Sequence, residues 1–64
     1  MKINKALIKA KMQEQGLNQE DAAKKCGIPL QKFRVIMAYG NCDGMNIGKL
    51  AKGLGVAVWE LVEK

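Results

Sequence analysis

The 64-residue chain has no histidine and no serine. The usual pairing of a nucleophile with a base is therefore absent, and its six acids are scattered over what read as surface positions. Gly53-Leu54-Gly55 follows a helical pattern, not a strand, so it is no dinucleotide loop. These absences leave an enzyme without support, and neither a cofactor nor a small-molecule substrate is expected. There are only two cysteines, Cys26 and Cys42. A tetrahedral zinc site needs four ligands, and two thiols without histidine supply it poorly. A disulfide does not suit a cytoplasmic protein. Cys26 therefore reads as a small core residue at a helix end, and Cys42 as a loop thiol open to solvent. No apolar run approaches the ~18 residues of a membrane span, and no secretory leader is evident. The expected location is the cytoplasm, with no membrane partner.

What is present suits one small domain over residues 1–64. Apolar residues make up 48% of the chain, enough for a globule. The net charge of +5 is uneven. Residues 1–34 hold eight lysines and arginines against three acids, whereas residues 35–64 hold three against three. A basic half can be a solvated surface or the footprint of a polyanion.

Local patterns mark out helices. Asn4 can cap a first helix of about Lys5 to Gln15, ended by Gly16, with Ile3, Leu7, Ile8 and Met12 facing inward. Asn18 is a good cap for a second helix, with Ala22, Ala23 and Cys26 as a small inner face and Gly27 to end it. Ile28 is an apolar plug, and Pro29 fixes φ where a third helix begins. Tyr39 to Gly44 is turn chemistry. Asp43 caps a fourth helix of about Gly44 to Leu54, with Ile47, Leu50, Ala51 and Leu54 at helical spacing. Gly44, Gly48 and Gly53 weaken it by roughly 1 kcal/mol each in a helix interior. Close packing against a neighbour is the reading for Gly48. Gly55 ends the fourth helix, and Val58 to about Glu63 can form a last short one.

Two helices joined by so short a turn cross steeply and hold the second out as a probe. In this respect the chain resembles the Cro/repressor-type (lambda-repressor-like) helix-turn-helix family. The matching residues are Gly16-Leu17-Asn18-Gln19, Ala23, Gly27-Ile28, Phe33, Ile36 and Leu50-Ala51-Lys52-Gly53-Leu54-Gly55-Val56. The resemblance runs from about Ile3 to Glu63. It implies an all-α fold, a compact bundle of about five short helices, and a double-stranded DNA partner.

On a helical wheel, Phe33, Ile36 and Met37 fall on one side of the third helix, and Gln31, Arg34, Val35 and Ala38 lie opposite. Gln31 suits adenine N6/N7, Arg34 suits guanine O6/N7 or a phosphate, and Val35 suits a thymine methyl. Leu30 lies between the faces. Periodicity lets it pack at the core edge, whereas the resemblance places it at a base. Lys32, on the flank, suits the phosphate backbone. Asn41, in the turn that follows, is a further backbone candidate. The resemblance also sets Gln19 at a phosphate, and Asn18 can serve there besides capping. Pro29 stands where the family often has serine or threonine, and Tyr39 near where it often has glycine. Tyr39 either reaches a phosphate with its hydroxyl or packs its ring. Met12 and Met37 stand where many relatives carry an arginine–glutamate pair, and are expected to meet as apolar replacements.

One reading helix covers half of a usual operator, so a homodimer is expected. Val58, Trp59 and Val62, near the neutral C-terminal end, are the candidate interface; alternatively, Trp59 caps the core. The leading expectation is a DNA-binding transcriptional repressor of Cro type. The antitoxin of a toxin–antitoxin pair, and an interaction module that kept the fold without DNA binding, are the alternatives.

Overall fold

The computed structural model describes residues 1–63. Five helices follow one another: α1 (Lys5–Glu14), α2 (Gln19–Cys26), α3 (Leu30–Tyr39), α4 (Gly44–Leu54) and α5 (Val58–Leu61). No strand occurs among the described residues, and no helix there is long and apolar enough to cross a membrane. The starts follow from side-chain chemistry. Asn4, Asn18 and Asp43 each accept a hydrogen bond from the amide three residues on, at 3.1, 2.8 and 2.9 Å. Each bond satisfies one of the orphan donors of a first helical turn. Three of the helices stop at a glycine in the left-handed region: Gly27 after α2, Gly40 after α3 and Gly55 after α4. Pro29 sits at the N-cap of α3 and not inside it, and α3 has no side-chain cap.

The core is a single cluster that draws on every helix. Ile8, Phe33, Ile36, Leu50, Leu54 and Leu61 are its largest fully buried members. Met37 is buried, and Met12 packs half-buried on the same cluster. α2 packs on both α3 and α4, and α4 also meets α1 and α5. The radius of gyration is 10.1 Å, as tight as expected for this length.

The glycine that permits close packing in α4 is Gly53, not Gly48. A Cβ on Gly53 would lie 2.5 Å from Cys26 Sγ and 2.7 Å from Cys26 Cα. A Cβ on Gly48 would meet nothing within 4 Å. Helices α2 and α4 thus touch at a Cys26–Gly53 contact that allows no larger side chain on α4.

Residues 1–4 form no part of α1. They run extended through the middle of three segments. On one side Ile3 donates to Gly40 O at 3.0 Å and Cys42 donates to Met1 O at 2.9 Å. On the other, Asn4 donates to Leu61 O at 2.7 Å and Glu63 donates to Lys2 O at 2.9 Å. Isolated antiparallel bridges pair Lys2 with Asn41 and Ile3 with Val62. This pairing overturns two expectations. Ile3 reaches the core from an extended segment, not from a helix face. Cys42 is buried, at 5% exposure, because the N-terminal segment covers the turn that carries it.

Candidate nucleic-acid interface

Helix α3 is anchored by Phe33, Ile36 and Met37, all buried. That anchoring turns Gln31, Arg34, Val35 and Ala38 outward, and all four are exposed. Val35 keeps 46% of its surface in water although it is aliphatic. The helix holds no acid, so the charges of Lys32 and Arg34 are not offset from within α3. Between α2 and α3 lies a turn held by its own backbone: Gly27 donates to Lys24 O at 3.1 Å and Ile28 donates to Ala23 O at 2.9 Å. The apolar plug Ile28 is buried. Leu30 is half-buried and packs on the core cluster, so it sits at the core edge, as periodicity allowed.

Along α3 toward the turn that follows it, the surface is concave. An open groove of about 500 Å³ is lined by Lys32, Val35, Tyr39, Asn41, Met1 and Asp43. The structure therefore brings together one base candidate, Val35, and two backbone candidates, Lys32 and Asn41. Tyr39 is 77% exposed, so its ring does not pack on the core. Asn18 and Gln19 are exposed at the start of α2. The Asn18 carbonyl is taken up by its cap.

Two lysines that wheel reasoning assigned to no role lie beside this turn. Lys2 pairs with Asn41 through the backbone. The side chain of Lys5 lies over Gly40, its Cδ and Cε both 3.5 Å from where a Cβ would be. The sequence signal for them was only their place in the basic half. The neighbours depend on chain segments about 40 residues apart. Three other lysines, Lys25, Lys49 and Lys52, surround a smaller groove of about 300 Å³ floored by Cys26 and Gly53.

Val58 and Trp59 of α5 are exposed, Trp59 at 80%, and Val62 is half-buried. Trp59 thus does not cap the core; Leu61 occupies that place, fully buried. Both cysteines are free and buried. Burial pushes both thiols above their ordinary pKa; Lys25 opposes the rise at Cys26, and Asp43 adds to it at Cys42. Neither is poised as a thiolate. Compared with known proteins, the chain matches no family model, and no curated protein or solved structure is significantly similar to it.

Proposed function

We propose that the protein is a sequence-specific duplex-DNA-binding regulator, a repressor of Cro type that occupies its operator as a homodimer and needs no cofactor. The observation that carries this reading is the outward face of α3, where Gln31, Arg34 and Val35 stand exposed on a helix fixed by three buried residues and free of acids. A short polar-to-apolar stripe on a rigid helix suits the donor, acceptor and methyl pattern of a major groove. Gln31 and Arg34 read bases, and Val35 meets a thymine methyl. Lys32, Asn41 and Gln19 hold phosphates and set the register without reading sequence. Exposed Trp59 with Val58 and Val62 is the face for a second copy. Two copies about a two-fold axis set their reading helices about 34 Å apart, one turn of DNA.

Selection of bound sites from random duplex DNA, followed by footprinting, tests the reading. The expected result is a two-fold-related pair of half-sites. Gln31→Ala or Arg34→Ala should relax the selected base at one position, at a cost of about 1–3 kcal/mol. No enrichment from the pool would sink DNA recognition. Full affinity for one isolated half-site would remove the dimer.

A further inference from the structure

We infer that Lys2 and Lys5, with Lys32 and Asn41, form a second phosphate clamp around the α3–α4 turn, which grips the sugar-phosphate backbone of the duplex that α3 reads. The inference rests on the DNA reading and extends it to an N-terminal segment that the α3 face alone does not implicate. Several observations carry it. The clamp residues converge on one turn: Lys32 and Asn41 line one groove, Lys2 pairs with Asn41, and Lys5 lies over Gly40. The groove is continuous with the α3 face through Val35.

Helix stability does not explain these charges. Cations favour the last turn of a helix and are unfavourable in the first. Lys11, Lys24, Lys25 and Lys52 all occupy last turns. Lys5 and Lys32 occupy the first turns of α1 and α3, where no acid offsets them. Lys11 and Lys24 also have carboxylate partners, at 3.6 and 3.7 Å. Among the described residues neither Lys2 nor Lys5 makes an ion pair. Of the lysines at the α3–α4 turn, Lys5 and Lys32 are thus placed against a helix dipole.

The turn is also rigid, because Gly40 and Cys42 are hydrogen-bonded to the N-terminal segment. Lys2 is therefore held in position by its paired segment, and Lys5 by the first turn of α1. The exposed ring of Tyr39 forms an apolar wall suited to a deoxyribose. Asp43 is the one acid in the groove, and its carboxylate is occupied in capping Asn46. The phosphate therefore sits toward Lys32 and Asn41.

Salt titration of binding to a selected duplex and to random-sequence duplex tests the clamp. Lys2→Gln with Lys5→Gln should lower the log–log salt slope by about 1.8, two phosphates at about 0.9 each, equally on both duplexes. A control pair, Lys49→Gln with Lys52→Gln, removes the same charge from the groove beside Cys26 and Gly53 and should leave the slope unchanged. Asp43→Asn keeps the cap and should raise affinity several-fold. Thermal melts report whether each variant stays folded, and Lys2→Arg with Lys5→Arg should restore the slope. Because Tyr39 is the only tyrosine, 3-fluorotyrosine labelling gives one fluorine signal, which should shift on either duplex. Equal slope changes in the test and control pairs, with the fluorine signal unmoved, would overturn the clamp while leaving DNA binding intact. A parent protein that binds neither duplex would overturn both.

Discussion

The two turns that flank α3 both begin with a left-handed glycine, Gly27 on one side and Gly40 on the other. They are held by different means. The α2–α3 turn closes on itself through Gly27 and Ile28, which donate back into the last turn of α2. The α3–α4 turn is held by Ile3 and Met1, which approach from about 40 residues away. A self-closed turn survives changes elsewhere in the chain. A borrowed one lasts only as long as its lender stays docked.

The strongest way to separate the two is Ile3→Ala. Ile3 is buried, and losing it should cost about 2–5 kcal/mol. Short of global unfolding, the damage should fall on one turn only. Cys42 should become accessible to a thiol reagent, whereas exchange of the Ile28 amide should match global opening. Equal exposure of both turns in the variant would remove the distinction.

The contrast between local and distant causes recurs inside α4. By helix propensity alone, alanine at Gly48 or Gly53 should stabilise by about 1 kcal/mol. Gly48→Ala should do so, since its Cβ would stand in open space. Gly53→Ala should instead destabilise by about 1–3 kcal/mol, because α2 must move away from its Cβ. Chemical denaturation of the two variants should give shifts of opposite sign. Shifts of the same sign would refute the Cys26–Gly53 contact.

A finer comparison uses the turn glycines. Gly27→Ala and Gly40→Ala should each cost about 1–2 kcal/mol, the penalty for a side chain in the left-handed region. Asparagine tolerates that region better than alanine. Gly27→Asn should recover part of the loss, as nothing lies within 4 Å. At Gly40 the larger side chain must displace Lys5, so recovery should be absent. Equal recovery at both sites would show that the neighbour is immaterial.

The smallest effect is one of pH. Burial raises both thiol pKa values, so the folded protein holds those protons more tightly than the unfolded chain. That stability is complete below the ordinary thiol pKa of about 8.5 and is lost as pH rises through the folded values. Cys42→Ala should flatten the alkaline fall in melting temperature relative to the parent. An unchanged profile would mean the thiol does not contribute.

How much could be read in advance follows the same division. The caps at Asn4, Asn18 and Asp43, the stops at Gly27 and Gly55 and the buried side of α3 all obey rules that act within one turn of helix. They were legible because their causes lie within a few residues. The outward set on α3, Gln31, Arg34 and Val35, follows from the same periodicity. What escaped was settled at long range. Burial of Cys42, the extended course of Ile3, the place of Lys2 and Lys5 beside Gly40 and the close fit at Gly53 each depend on a segment far along the chain. Tyr39 and Trp59 show the same limit from the other side. Aromatic character argues for burial, but the small core is already filled by Phe33, Leu61 and their neighbours.

The extended N-terminal segment also bears on the order of folding. It pairs Lys2 with Asn41 and Ile3 with Val62, partners about 40 and about 60 residues distant. Closing loops that long costs chain entropy before any contact repays it, whereas α2, its turn and α3 close over short spans. The segment is therefore expected to dock late, after the helices have formed, and to complete the ordering of the α3–α4 turn. Ile3→Ala should then speed unfolding and leave the folding rate nearly unchanged, whereas Ile28→Val should slow folding. A slowed folding rate for Ile3→Ala would place the segment in the nucleus instead. The segment that precedes α1 would thus be among the last to find its place.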